Sequence, residues 1–147
     1  MKRFKYRLER VLEYRKLVKD EKVRELLNRN QKLHEDSEKL RELETAELLN
    51  RIEEGARLNA AQLQLVADYG FRLRGAIAGQ VEVVEKSKEA VEEATAEYVE
   101  AAKEEKSLSI HKSRKLEEYK EYVQQEEDRF VDELNIQRAG LNRRNRE

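Results

Sequence analysis

The chain contains no cysteine, no proline and no tryptophan, and only five glycines. Each absence excludes something. Without cysteine there is no disulfide framework, no thiolate metal site and no cysteine nucleophile. Without proline no helix loses a backbone donor or clashes with its preceding turn, so long helices can run unbroken. Aromatic residues are scarce as well, at 6% of the chain. With 38% hydrophobic residues and a mean hydropathy of −1.00, the chain lacks the large apolar side chains that a spherical core requires. No apolar run approaches the roughly 20 residues that span a bilayer. The basic start Met1-Lys2-Arg3-Phe4-Lys5 is not followed by the apolar segment of a secretory signal. We therefore expect a cytoplasmic protein with no direct membrane insertion.

What is present is charge with rhythm. Charged residues make up 43% of 147 positions, 31 bases against 32 acids, for a net charge of −1. That balance, with regularly recurring Leu, Val, Ile and Ala, argues against disorder. Chains of this composition form long helices or coiled coils, which need only a narrow apolar seam.

The first helical pattern runs from about residue 4 to 53. Phe4, Leu8, Val11 and Val18 share a face, and Val23, Leu26, Asn30, Leu33, Ser37 and Leu40 then alternate by threes and fours. This is a heptad seam with two polar insertions. Beyond Leu40 the phase slips, and Leu48, Leu49 and Ile52 resume it in a shifted register. Residues 54–59 read as the connection: Gly55 suits the left-handed close of a helix. Asn59-Ala60-Ala61-Gln62 resembles a capping box, in which Asn and Gln satisfy each other's backbone donors.

A second helix over about 60–143 carries the stronger pattern. From Leu63 through Val66, Gly70, Leu73, Ile77, Gln80 and Val84 to Leu108 the three-four spacing is strict. Gly70, Gly75 and Gly79 mark either a soft segment at 70–79 or a second turn, since each costs about 1 kcal/mol in a helix relative to Ala. The fold class is therefore all-α: a single domain over 1–147, built as a long antiparallel two-helix coiled coil (hairpin) with the second helix longer than the first. Folding back near Gly55 would leave the last thirty or so residues overhanging. There Leu116, Tyr119, Val123, Phe130 and Leu134 form an apolar stripe with no internal partner, which reads as a docking surface.

Charge is uneven. Residues 1–24 hold ten bases against four acids, and residues 138–147 hold four Arg against Glu147, so the middle holds 17 bases and 27 acids. A hairpin brings both basic ends to the same half. Much of the remaining charge forms i,i+4 pairs such as Glu25–Arg29, Glu35–Lys39 and Glu82–Lys86, which support a solvated helix face.

No constellation points to catalysis. His34 and Glu38 lie one turn apart without a third ligand, and His111 stands among Lys112, Ser113 and Arg114. Carboxylate pairs are everywhere, and activating one requires burial that two helices scarcely offer. The glycines match no phosphate-binding loop. Arg143, Arg144 and Arg146 could meet phosphates. An acidic body without interleaved aromatics argues against nucleic acid. We expect no enzyme, no catalytic residue, no cofactor and no metal; binding is the function class that remains.

Three stretches together resemble the flagellar export chaperone FliJ family: Phe4-Lys5-Tyr6-Arg7-Leu8-Glu9-Arg10-Val11-Leu12, then Tyr69, Leu73, Ile77 and Gln80 after Glu54-Gly55, and Phe130-Val131-Asp132-Glu133-Leu134 near the end. The likeness spans the whole chain. It implies an antiparallel two-helix coiled coil similar to the central stalk of a rotary ATPase. Such a stalk would enter the flagellar export ATPase hexamer by its terminal end, stimulate hydrolysis, couple it to the export-gate membrane protein, and handle export chaperones. Carried over by position, Tyr69, Leu73, Ala76 and Gln80 match the gate-docking segment, although Gly70, Gly75 and Gly79 depart from the pattern. For the ATPase ring we expect apolar contact from Phe4, Leu8, Leu116, Tyr119, Val123, Phe130 and Leu134. Arg138, Arg143 and Arg144 would steer the same end by charge. The alternatives are a structural or scaffolding coiled coil that pairs between chains, and the stalk of an injectisome-type secretion system.

Overall fold

A computed structural model describes residues 3–53 and 55–144, with side chains through Gly140. Two helices, α1 (Glu9–Leu49) and α2 (Ala60–Arg144), make up almost all of it, and no strand occurs among the described residues. The fold is all-α, an antiparallel two-helix coiled coil whose second helix is the longer. The chain divides into two compact units, Leu17–Ala102 and Met1–Lys16 with Lys103–Glu147, and both helices contribute to each.

The unit formed by residues 17–102 is the hairpin proper. Along α2, every seam position from Val66 to Ala101 is buried or half-buried, with Leu73, Val84 and Ala94 among the most enclosed. On α1, Leu26, Leu33 and Leu40 recur every seven residues on the facing side, all half-buried. Asn30, one of the two polar insertions, is exposed, whereas Ser37 is half-buried and donates its hydroxyl to the Leu33 carbonyl at 2.7 Å. Partners descend one helix as they ascend the other: Lys22 meets Glu97, Asp36 meets Ser87, and Asn50 meets Val66.

The register shift expected after Leu40 does not occur. Leu43, Ala46, Glu47 and Asn50 continue the α1 seam, all half-buried. Leu48 and Ile52 are exposed, and Leu49 is 81% exposed. Counting apolar residues misled here because the last seam layers are polar. Asn50 is one of them: its amide Nδ2 donates to the Val66 carbonyl at 3.0 Å. Gly70 permits that approach, since a Cβ at position 70 would stand 3.1 Å from the same nitrogen. Gly75 and Gly79 have open space around them, and α2 runs as helix through all three glycines with no second turn.

Helix α1 also stops short of residue 53. The Asn50 N–H is shared between the Ala46 and Glu47 carbonyls, and Arg51 turns back to Leu48. Gly55 takes φ +86°, the left-handed conformation that costs a side-chain-bearing residue about 1–2 kcal/mol. Asn59 then caps α2 reciprocally: Gln62 N–H donates to Asn59 Oδ1 at 2.8 Å, and Asn59 N–H donates to Gln62 Oε1 at 3.0 Å. Two of the orphan donors at the helix start are thereby satisfied.

In the second unit, α1 begins at Glu9 rather than near Phe4. Residues 3–8 precede the helix as a short strap alternating exposed with half-buried: Arg3, Lys5 and Arg7 outward, Phe4, Tyr6 and Leu8 inward. Residues 3–6 take no regular structure, and residues 7–8 turn into the helix, with the Glu9 N–H donating to the Tyr6 carbonyl at 3.3 Å. Contact with α2 holds the strap there. Phe4 stacks obliquely on Tyr119 (ring centroids 5.6 Å apart), and Tyr6 Oη lies 2.8 Å from His111 Nδ1. Leu12, 2% exposed, is the most deeply buried side chain of the core. Ion pairs Lys112–Glu9 (2.7 Å) and Arg15–Glu104 flank it.

Candidate functional site

No three histidine, aspartate or glutamate side chains gather as a metal cluster among the described residues. No helix among them is long and apolar enough to cross a membrane. Every buried side-chain nitrogen or oxygen among them has a hydrogen-bond partner, so no orphaned polar group waits for a ligand. The surfaces that remain are those of helix faces.

The first is the stripe on the outer part of α2, in the unit that contains the strap. The sequence presents Leu116, Tyr119, Val123, Phe130 and Leu134 as one unpartnered face. The structure divides it. Leu116, Tyr119 and Val123 are half-buried, with Phe4 seated on Tyr119, so this part already has an occupant. From Gln124 to Gly140 every side chain is exposed. Phe130 stands 61% exposed, and Leu134 lies on the same face one turn further. The overhang thus begins at residue 124, later than chain length alone suggested, because the strap extends cover beyond the start of α1.

Charge around this stripe has a part that the terminal arginines do not supply. The sequence drew attention to the terminal arginines. Arg138 is exposed, while the side chains of Arg143 and Arg144 lie outside the described residues, as do Arg146 and the side chain of Leu141. The exposed apolar side chains themselves sit in an acidic stretch. Residues 117–133 hold eight acids against Lys120 and Arg129. Glu126 and Glu127 fall between Val123 and Phe130, where the helical period puts them on the stripe itself. Averaging over the whole middle of the chain hid this local excess, and a window of two or three turns would have revealed it.

A second surface lies on the early part of α2, within the hairpin unit. Of the four positions matched to a gate-docking segment, Leu73 and Gln80 are buried against α1, whereas Tyr69 and Ala76 are exposed. Gln80 donates from Nε2 to the Asp36 carbonyl at 2.9 Å, and Ser87 donates to Asp36 Oδ2. These two buried polar residues therefore form a cross-helix layer around Asp36. Such layers fix the register of a coiled coil at some expense of stability. Leu65, 69% exposed, adds apolar surface one turn before Tyr69 that the resemblance did not mark, whereas Phe71, 75% exposed, lies on another face of the helix.

Histidine 111 was unremarkable in sequence. In the structure it anchors Tyr6, whose hydroxyl also lies 3.4 Å from the Leu108 carbonyl. A contact between residues so distant in sequence leaves no local signal. Among the i,i+4 pairs named above, Arg29 meets Glu25 at 3.8 Å, whereas Glu35 accepts from Gln31. Lys22 is held away from its ordinary value. Its hydrogen bond to Glu97 raises its pKa above the usual lysine range, assisted by the Glu97 and Glu25 charges.

Set against known proteins, the chain matches the family model described as Flagellar FliJ protein over residues 4–144. No curated protein and no solved structure matches it.

Proposed function

We propose, on the premise that this chain belongs to the FliJ family, that it is the stalk-like component that binds the hexameric flagellar export ATPase, stimulates it, and couples it to the export gate. Membership itself carries the coarser statement: the chain is a flagellar export component of a non-catalytic family. The finer reading rests chiefly on one observation, the helical overhang beyond residue 123. A helix that leaves Phe130 and Leu134 in water has apolar surface to bury in a partner, and burial is worth roughly 25 cal/mol per Å².

In this reading Phe130, Leu134 and Arg138 contact the ATPase ring. Phe4, Leu8, Leu116, Tyr119 and Val123 shape the base of that contact by holding strap and helix together, and Arg143 and Arg144 contribute charge. Tyr69 and Ala76 serve the export gate from the exposed face. Leu73 and Gln80 support that segment from inside the helix pair. Handling of export chaperones, and a cytoplasmic location peripheral to the export apparatus at the membrane, belong to the same proposal. The test is the turnover of the cognate export ATPase with and without this protein, alongside the protein's mass in solution. Stimulated hydrolysis with hexamer formation supports the stalk; a stable dimer without effect on the ATPase supports a scaffold.

A further inference from the structure

The exposed part of α2 carries a charge pattern that specifies its partner. Apolar side chains at Val123, Phe130 and Leu134 keep the spacing of a coiled-coil seam, and Glu126 and Glu127 occupy the layer between them. Carboxylates at a seam layer are costly against an apolar partner, because they would be desolvated without compensation. Of the two, only Glu126 has a cation near it among the described residues, and that pair is solvated. Arg129 approaches Glu126 only at 3.5 Å, with both groups largely in solvent, and Glu127 has no ion pair among the described residues. Around them the 117–133 stretch has an excess of six acids.

One segment of the same protein already packs on a neighbouring part of this face, through its apolar and aromatic groups, with its cations turned to solvent. The strap presents aromatic and aliphatic groups every second residue and a cation at each residue between, with no acid from Arg3 to Leu8. It lies on the neighbouring turns of this helix, with Phe4 on Tyr119, and Tyr119 and Tyr122 line both the groove that the strap walls and the groove beyond it. The second groove continues past the strap over Val123, Glu126, Glu127 and Phe130.

We infer that residues 122–134 of α2 are a docking groove for a basic, apolar-studded segment of a partner protein, with the partner's cations seated on Glu126 and Glu127 and its apolar groups on Phe130 and Leu134. This deepens the stalk reading by giving the chemistry of the contacting segment; it rests on that reading only for the partner's identity. The groove then selects by charge: a neutral or acidic amphipathic segment would strand both glutamates.

A labelled peptide copying residues 2–8, Lys-Arg-Phe-Lys-Tyr-Arg-Leu, is the probe, titrated into the full chain by fluorescence anisotropy at low and high salt. Binding that weakens about tenfold in Glu126→Lys/Glu127→Lys and in Phe130→Ala, and fades with salt, is the expected result, since two solvated ion pairs together amount to about one decade. All three positions are exposed, so circular dichroism should show these variants folded. The inference is overturned if a peptide with its Lys and Arg replaced by Glu binds equally. It is overturned too if Tyr119→Ala abolishes binding while the glutamate reversal leaves it intact, which would place the peptide on the strap's own seat. Self-association of the unliganded chain that the same reversals abolish would make a second copy the occupant and would likewise refute it. An ATPase that ignores the protein while the peptide still binds would remove the stalk reading and leave the groove standing.

Discussion

Residues 66–101 and 119–134 of α2 carry the same three-four spacing of seam side chains, and their fates differ. In the first stretch each seam residue is buried or half-buried against α1. In the second, cover extends only to Val123, and Phe130 is exposed. Heptad spacing therefore states that a helix face needs a partner; it does not state whether the partner is in the same chain. Polar insertions separate the two cases. Within the hairpin, Gln80 and Ser87 find Asp36 and are satisfied. On the overhang, Glu126 and Glu127 interrupt the stripe with nothing opposite among the described residues.

The largest expected effect tests that contrast directly. Leu12→Ala, removing the most buried side chain, should cost about 3 kcal/mol of stability and lower the urea midpoint. Phe130→Ala, despite deleting a larger side chain, should change it by less than about 0.5 kcal/mol, because nothing packs on it. If both substitutions destabilised the chain equally, the overhang would not be exposed in solution.

Asp36→Ala comes next. It leaves the buried Ser87 hydroxyl without its acceptor, a loss of about 1–3 kcal/mol measurable by thermal denaturation. Gln80 should retain its bond, because its acceptor is the Asp36 backbone carbonyl. Replacing Ser87 by Ala together with Asp36 by Leu should recover much of the loss while admitting alternative registers, seen as heterogeneous products of a disulfide introduced across the helices.

Asn59→Ala should cost about 1 kcal/mol by removing the side-chain acceptor of the Gln62 N–H, and fraying should be confined to the first turns of α2 in hydrogen exchange. The smallest effect concerns Lys22. Its pKa is raised by Glu97, so the stabilisation is fully present below the unfolded value of 10.5 and is lost as pH rises through the higher folded-state value. Lys22→Gln should accordingly flatten only the alkaline limb of the stability profile and leave the neutral range unchanged in shape.

Much of this molecule was legible in its residues. The seam from Val66 to Leu108, the reciprocal cap of Asn59 and Gln62, and the left-handed Gly55 follow from short-range rules, because helical period and capping involve side chains within a turn or two. The terminal layers of α1 were misread, since Glu47 and Asn50 serve the seam through polar contacts that an apolar count ignores. Among the candidate site residues, Phe130 and Leu134 stayed on an open face while Phe4 and Tyr119 were taken up by each other.

Composition and period by themselves thus determined that the chain forms two long helices of unequal length joined near Gly55, since absent proline and sustained heptads leave the backbone no cheaper arrangement. Tertiary structure alone decided which residues of a continuous stripe keep company with the chain itself. Phe4 meets Tyr119 and Tyr6 meets His111 across more than a hundred residues, and a non-helical strap displaces the helix that local spacing favoured. Side chains brought together by the fold set that choice, and no periodicity within one segment encodes what another segment will bring.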